Sequence, residues 1–165
     1  MVAGAGAGEK GLKQMKVRVS AVITEGDKLL LVHQHRRGRS YWTLPGGGLK
    51  EFERVDEALV REVREETGLE IRPGKILFVA DAIPSLDAAT ERVLNLIFRG
   101  HVVGGALLNG PGDQMDEQKD AAEFVRLADI ASLNLLPPIA DDLAGAALEG
   151  FNGEARYLGD LWQPK

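Results

Sequence analysis

Residues 47–69 read GGLKEFERVDEALVREVREETGL, and this stretch decides both the fold and the chemistry. Val55, Leu59, Val60 and Val63 recur at helical spacing, so the segment from about Arg54 or Asp56 to Thr67 is predicted to be an amphipathic helix. Gly68 supplies its C-terminal stop. At 100° per residue, Glu62, Glu65 and Glu66 fall within an arc of roughly 100° beside that apolar stripe. Like charges this close repel by a few tenths of a kcal/mol per pair even in water. Concentrating them calls for a counter-charge, and a hard divalent cation with oxygen ligands is the natural one. Taken alone, Arg61-Glu62-Val63-Arg64-Glu65-Glu66 would read as a solvated helix face. The glycine run Gly46-Gly47-Gly48 upstream and the Gly68 stop downstream favour a built site instead.

Working outward, Val17–Ile23 alternates and is β-branched, Glu25-Gly26-Asp27 is a turn, and Lys28–His35 is a second strand, which together make a hairpin. Arg36, Arg37, Gly38 and Arg39 form a basic turn. Tyr41–Leu44 then leads as a short strand into Pro45 and the glycines. Beyond the helix, Lys75–Ala82, Arg92–Val103 and Glu123–Leu127 read as strands, and Asp129–Leu133 as a single helical turn. Pro137-Pro138 opens a second helix from about Ile139 to Glu149. Tyr157-Leu158-Gly159 is expected to be a C-terminal strand or a tail folded over the domain. Strands around one long helix, with a second helix near the end, predict a single-domain α/β fold, an α/β/α sandwich on a mixed sheet. Residues 1–14, rich in Gly and Ala, read as a flexible lead-in, and 15–165 as the domain.

The whole chain narrows the function classes. Its 165 residues suffice for a buried core, and 44% hydrophobic with 27% charged residues is ordinary for a soluble protein. A net charge of −5 gives no non-specific nucleic-acid or anionic-membrane surface. The absence of cysteine excludes disulfides, thiolate zinc sites and cysteine nucleophiles, and fits the cytoplasm. No apolar run is long enough to span a bilayer. A small-molecule nucleotide is the expected partner, and a homodimer is compatible with the sequence.

The fixed positions Gly47, Glu53, Arg61-Glu62-Val63, Glu65-Glu66, Gly68 and Leu69 match the signature of Nudix hydrolases, G-x5-E-x7-REUxEExGU with U a bulky aliphatic residue. The chain resembles that family over most of residues 16–150. The resemblance implies a pyrophosphohydrolase that cleaves a nucleoside diphosphate linked to another moiety, with Mg²⁺, or Mn²⁺ in its place, as cofactor. By position, Glu62, Glu65 and Glu66 are the implied metal ligands, with the Gly46 carbonyl as a further one. Glu62 is the implied general base, or else an acid from a later loop: Asp113, Asp116, Glu117 or Asp120, of which Glu117 is favoured. Arg61 is expected to point off the other side of the acids and to pair with Glu53, fixing the loop against the helix. The chain departs from the usual loop at Lys50, where relatives often carry an acid, and at Phe52, where they often carry glycine. Phe52 implies a loop that avoids a positive φ there.

Substrate choice falls to other loops. Pro84 lies fifteen residues after Leu69, and resemblance to ADP-ribose pyrophosphatases places a proline at about that distance. ADP-ribose or a related nucleotide sugar is therefore favoured. The alternatives are a housecleaning nucleoside triphosphate pyrophosphatase and a non-catalytic nucleotide-sensing module; an RNA-decapping role is disfavoured by the acidic balance. Pro84 with Ser85–Thr90 should border the pocket on one side. Arg36, Arg37 and Arg39 should border it on another, to hold a terminal phosphate. His33 and His35 read as ordinary strand residues, since only His101 remains to complete a cluster. Tyr41 and Trp42 read as core packing ahead of base stacking.

Overall fold

In the computed structural model, residues 15–36, 38–83, 91–108 and 119–161 are described. The expectations for residues 1–14, Arg37, Pro84 with Ser85–Thr90, and the acids Asp113, Asp116 and Glu117 lie outside them, as do those for the side chains of Arg36 and Asp120.

The strands form two sheets. Strand β1 (Lys16–Val22) continues into the short β2 (Thr24–Glu25), which turns at Gly26 into β3 (Lys28–Arg36). Strand β4 (Arg39–Thr43) returns antiparallel to β3, and the glycine run forms β5 (Gly46–Gly48) against β1. Helix α1 (Val55–Thr67) follows, then the long hairpin β6 (Leu69–Ala82) and β7 (Val93–Gly105). Strand β8 (Lys119–Arg126) pairs with β3, and a 3₁₀ turn (Leu127–Ser132) leads to helix α2 (Ala140–Leu148) and strand β9 (Arg156–Asp160). The larger sheet has the order β5-β1-β7-β6-β9, with β1/β7 and β6/β9 parallel and the other neighbours antiparallel; the smaller joins β2, β3, β4 and β8.

Period-two alternation sends successive side chains to opposite faces and so divides the core. On β3, Leu30 and Val32 pack under α1 with Val19, Leu59 and Val63, while Leu29 and Leu31 pack under α2 with Phe78, Ile97 and Leu143. All ten are buried, and each such side chain contributes about 2 kcal/mol on transfer out of water. The result is the expected α/β/α layering, with α1 and α2 on opposite faces of the strands. Among the described residues no helix is long and apolar enough to cross a membrane.

Two local expectations are corrected. Strand β6 begins at Leu69, not Lys75: Leu69 and Ile71 are buried while Glu70 and Arg72 are exposed, so the alternation already starts there. Pro73 and ladder irregularities at Glu70/Ile71 and between Pro73 and Phe78 break the pattern that sequence reading depends on. Second, Phe52 does not avoid the left-handed turn. It adopts φ 65° with its ring 97% exposed, so the loop keeps the glycine-type conformation at a cost of about 1–2 kcal/mol.

Candidate active site

Helix α1 carries the acids, and two glycines bring the backbone of β5 up to them. Gly68 ends the helix at φ 76°, donating its N–H to the Arg64 carbonyl at 2.9 Å; a Cβ there would lie 2.4 Å from the Ala106 carbonyl. At the other end the Arg54 N–H donates to Glu57 at 3.1 Å. Glu66, 2% exposed, accepts the Gly46 N–H at 2.9 Å. A carboxylate buried this far needs such donors to offset lost hydration. Glu62 faces Gly47 so closely that a Cβ on Gly47 would sit 2.2 Å from its carboxylate. Glu65 is more open, its side chain 55% exposed.

Arg61 ties these parts together. Its Nε and Nη2 donate to the two Glu53 oxygens at 2.6 and 2.8 Å, the bidentate pairing that matches guanidinium to carboxylate. Nη2 also donates to the Gly48 carbonyl at 3.2 Å, which fastens β5 to the helix. The expectation that Arg61 points away from the acids is corrected: Nη1 donates to Glu62 at 2.7 Å and to Glu65 at 3.3 Å. The helical pitch puts residue 65 one turn above 61, and the long guanidinium reaches both Glu65 and its own neighbour.

Glu53 also accepts the Lys50 N–H at 3.0 Å. The Arg61 hydrogen bond, then the Lys50 N–H, hold its pKa down at about 2, and the same pair holds Arg61 above its ordinary range. Glu53 therefore stabilises the fold fully above its unfolded pKa near 4.5, and this is lost as pH falls from there through about 2. For Glu53→Gln, thermal melts should show a Tm deficit that is full at pH 6 and shrinks between pH 4.5 and 2. A deficit independent of pH would contradict this coupling.

One guanidinium faces Glu53, Glu62 and Glu65, so the site keeps excess negative charge. Among the described residues no three acidic or histidine side chains converge as a ready-made metal cluster. Mg²⁺ usually takes only one or two carboxylates, with water and substrate oxygens completing the shell. Glu62 and Glu66, backed onto the side-chain-free β5, fit that donor class.

A cavity of about 1110 Å³ opens on the opposite face of the larger sheet. Its walls include Arg18 from β1, Gln34 and Tyr41 from the β3–β4 hairpin, Asn95 from β7 and Tyr157 from β9. Arg18 lies in register with Gly48, whose carbonyl is held by Arg61, so one strand separates the cavity wall from helix α1. Gln34, buried, donates to Thr43 at 3.1 Å and accepts from the Tyr41 hydroxyl at 3.0 Å, which fixes its amide orientation. At the far end Asp81 accepts from Tyr157 at 2.6 Å and from Arg92 at 2.7 and 3.0 Å, and these bonds lower its pKa.

Of the residues expected to bind substrate, Arg39 is exposed on β4 and is not part of this cavity wall. Ala82, two residues before Pro84, is part of it. His33 stacks on Trp42 with ring centroids 4.5 Å apart and meets His35 edge-on, while His101 lies on β7 beside Gly74, so the three do not gather. Sequence reading missed Arg18, Gln34 and Asn95. A polar Asn inside the apolar run Val93-Leu94-Asn95-Leu96-Ile97-Phe98 was the available signal.

The chain is similar to known proteins throughout this region. The family model of the NUDIX domain matches residues 14–144. The ADP-ribose pyrophosphatase of Methanocaldococcus jannaschii is 35% identical over 127 residues, 76% of this chain and 67% of that protein. The zebrafish (Danio rerio) 8-oxo-dGDP phosphatase NUDT18 is 36% identical over 91 residues, but these are 54% of this chain and only 26% of that protein. Among solved structures, a NUDIX hydrolase from Nitrosomonas europaea superposes with a TM-score of 0.69 at 26% identity, covering 83% of this chain and 90% of its own. With the family match spanning both the glycine strand and the glutamate helix, the chain belongs to the Nudix hydrolases, a family of pyrophosphohydrolases acting on nucleoside diphosphate derivatives.

Proposed function

We propose that this enzyme is a Mg²⁺-dependent hydrolase of ADP-ribose or a related nucleotide sugar, with Mn²⁺ able to replace Mg²⁺. The observation that carries the substrate class is the cavity: at about 1110 Å³ it exceeds the usual range of small-molecule sites and offers room for more than a compact nucleotide. The similarity to an ADP-ribose pyrophosphatase supports the same class.

In this reading water attacks one phosphorus of the diphosphate and the bridging P–O bond breaks, giving AMP and ribose 5-phosphate. A cation held there would supply neutralisation of the phosphate charge that otherwise repels the nucleophile. Glu62, Glu65 and Glu66 would hold that ion, with the Gly46 carbonyl able to add a further oxygen. Glu62 takes the proton of the attacking water, with Glu117 the alternative base. Arg61, anchored by Glu53, keeps helix and glycine strand in register, so that the carboxylates stay aimed. Ala82 of the cavity wall, two residues before Pro84, borders the outer end of the substrate in this reading, whereas Arg39 lies outside that wall.

A matched kinetic panel tests the substrate class. The expected result is a kcat/KM for ADP-ribose at least about tenfold above that for any common deoxynucleoside triphosphate, about 1.4 kcal/mol of transition-state discrimination. A preferred triphosphate would overturn it in favour of a housecleaning pyrophosphatase.

A further inference from the structure

The cavity wall holds two polar side chains that bond to no other described residue. Asn95 is 5% exposed, on a strand whose neighbours on the same face are apolar, and its amide makes no hydrogen bond among the described residues. Among the described residues Arg99 Nη1 is the sealed polar atom without a partner, so the unbonded Asn95 amide is instead open to the cavity it lines, where a ligand can reach it. Arg18, half-buried, likewise has no ion pair or hydrogen bond among the described residues. The other arginine of the wall, Arg156, pairs with Asp142, so among the described residues Arg18 is the wall's arginine without an ion pair.

The two are not scattered. Arg18 and Asn95 are register partners across the parallel β1–β7 ladder, so their side chains leave the same sheet face side by side into the cavity. Strand order supplies a ruler. Neighbouring strands lie about 4.8 Å apart, which puts Arg18 about 5 Å and Asn95 about 10 Å from the edge strand β5, on whose other face Glu62 and Glu66 sit. A nucleotide reaching from that edge into the cavity meets a guanidinium first and an amide second. Guanidinium matches phosphate oxygens through paired hydrogen bonds, while a carboxamide offers a donor and an acceptor together, as the edge of a base does.

We propose that Arg18 and Asn95 form a two-point clamp for the nucleoside monophosphate half of the substrate, Arg18 gripping the phosphate that stays with the nucleoside and Asn95 hydrogen-bonding the base. Gln34, its amide already oriented by Tyr41 and Thr43, lines the cavity with them. The clamp deepens the substrate reading above and rests on it for the identity of the leaving half only.

Calorimetric binding of AMP, adenosine and ribose 5-phosphate to the full chain in excess chelator tests the clamp without turnover. Arg18→Gln should weaken AMP at least about tenfold and leave adenosine within about twofold. Asn95→Leu, with Asn95→Ser as a smaller second variant, should weaken AMP and adenosine alike, by at least about fivefold. Because the Asn95 amide faces the cavity and bonds to none of the described residues, Asn95→Leu should leave the Tm at or above that of the wild type, whereas a merely structural asparagine would lower it. The clamp is overturned if both variants bind AMP as the wild type does, if the wild type binds neither AMP nor adenosine, or if the losses fall on ribose 5-phosphate and spare adenosine. Arg18-dependent AMP binding in an enzyme that leaves ADP-ribose intact would uphold the clamp and overturn the substrate reading. Normal ADP-ribose hydrolysis with variants that bind AMP like wild type would do the reverse.

Discussion

Glu66→Gln is expected to lower kcat by about a hundredfold or more while the protein stays folded. Glu66 is buried and accepts the Gly46 N–H at 2.9 Å, and a glutamine side chain has the same shape and an amide oxygen that can accept the same bond. The contact that positions β5 therefore survives. What disappears is a full negative charge at the place proposed for a divalent cation, where a neutral amide is a poor substitute. Steady-state kinetics with ADP-ribose, read beside a thermal melt, separates the two effects: kcat should collapse while Tm moves little. Unchanged kcat would remove Glu66 from the machinery, and a collapsed Tm would assign it to folding.

Gly47→Ala is expected to cost a further large factor by a different route. The new Cβ would stand 2.2 Å from the Glu62 carboxylate, so one of the two must yield. The obstructed atoms are the far end of a flexible side chain, and the cheapest response is for Glu62 to swing away, which leaves the backbone intact. Displacement of a catalytic group by about 1 Å is enough to cost about a hundredfold in rate. The variant should thus lose kcat by about ten- to a hundredfold with little loss of stability. Gly46→Ala makes the contrast, because its Cβ would meet the Val19 carbonyl at 2.0 Å at a residue with φ 153°. There backbone must move, and folding itself should suffer. If Gly47→Ala were as active as the wild type, the close approach of β5 to Glu62 would have no catalytic consequence.

How far the sequence predicts the structure depends on the range over which each feature is determined. Helix α1 and its Gly68 stop are encoded locally and form where the spacing predicts, whereas the glycine run, read as a loop, is strand β5 because it pairs with the distant β1. The Arg61–Glu53 pair spans eight residues and is equally legible. The contact of Arg61 with Glu62 and Glu65 was misread because a helical wheel gives the direction of a side chain but not the reach of its terminus. The start of β6 was obscured by Pro73 and by ladder irregularities that break strict alternation. At Phe52 the loop keeps its left-handed turn against the residue's own preference, which shows the surrounding contacts outweighing local propensity. The cavity was the least legible feature. Arg18 and Asn95 lie 77 residues apart and become neighbours only through the parallel β1–β7 pairing, which no local pattern announces.

The central claim is that the glutamates of α1, set against the glycine strand, make this chain a metal-dependent hydrolase of a diphosphate linkage. Its most direct test is AMP release from ADP-ribose by the wild type and by the Glu62→Gln/Glu66→Gln double variant, each in saturating Mg²⁺ and in excess chelator. The account predicts turnover by the wild type in Mg²⁺, loss of that turnover in chelator, and a double variant at least about a hundredfold slower that Mg²⁺ does not rescue. Full turnover in chelator, or a double variant as fast as the wild type, would contradict it.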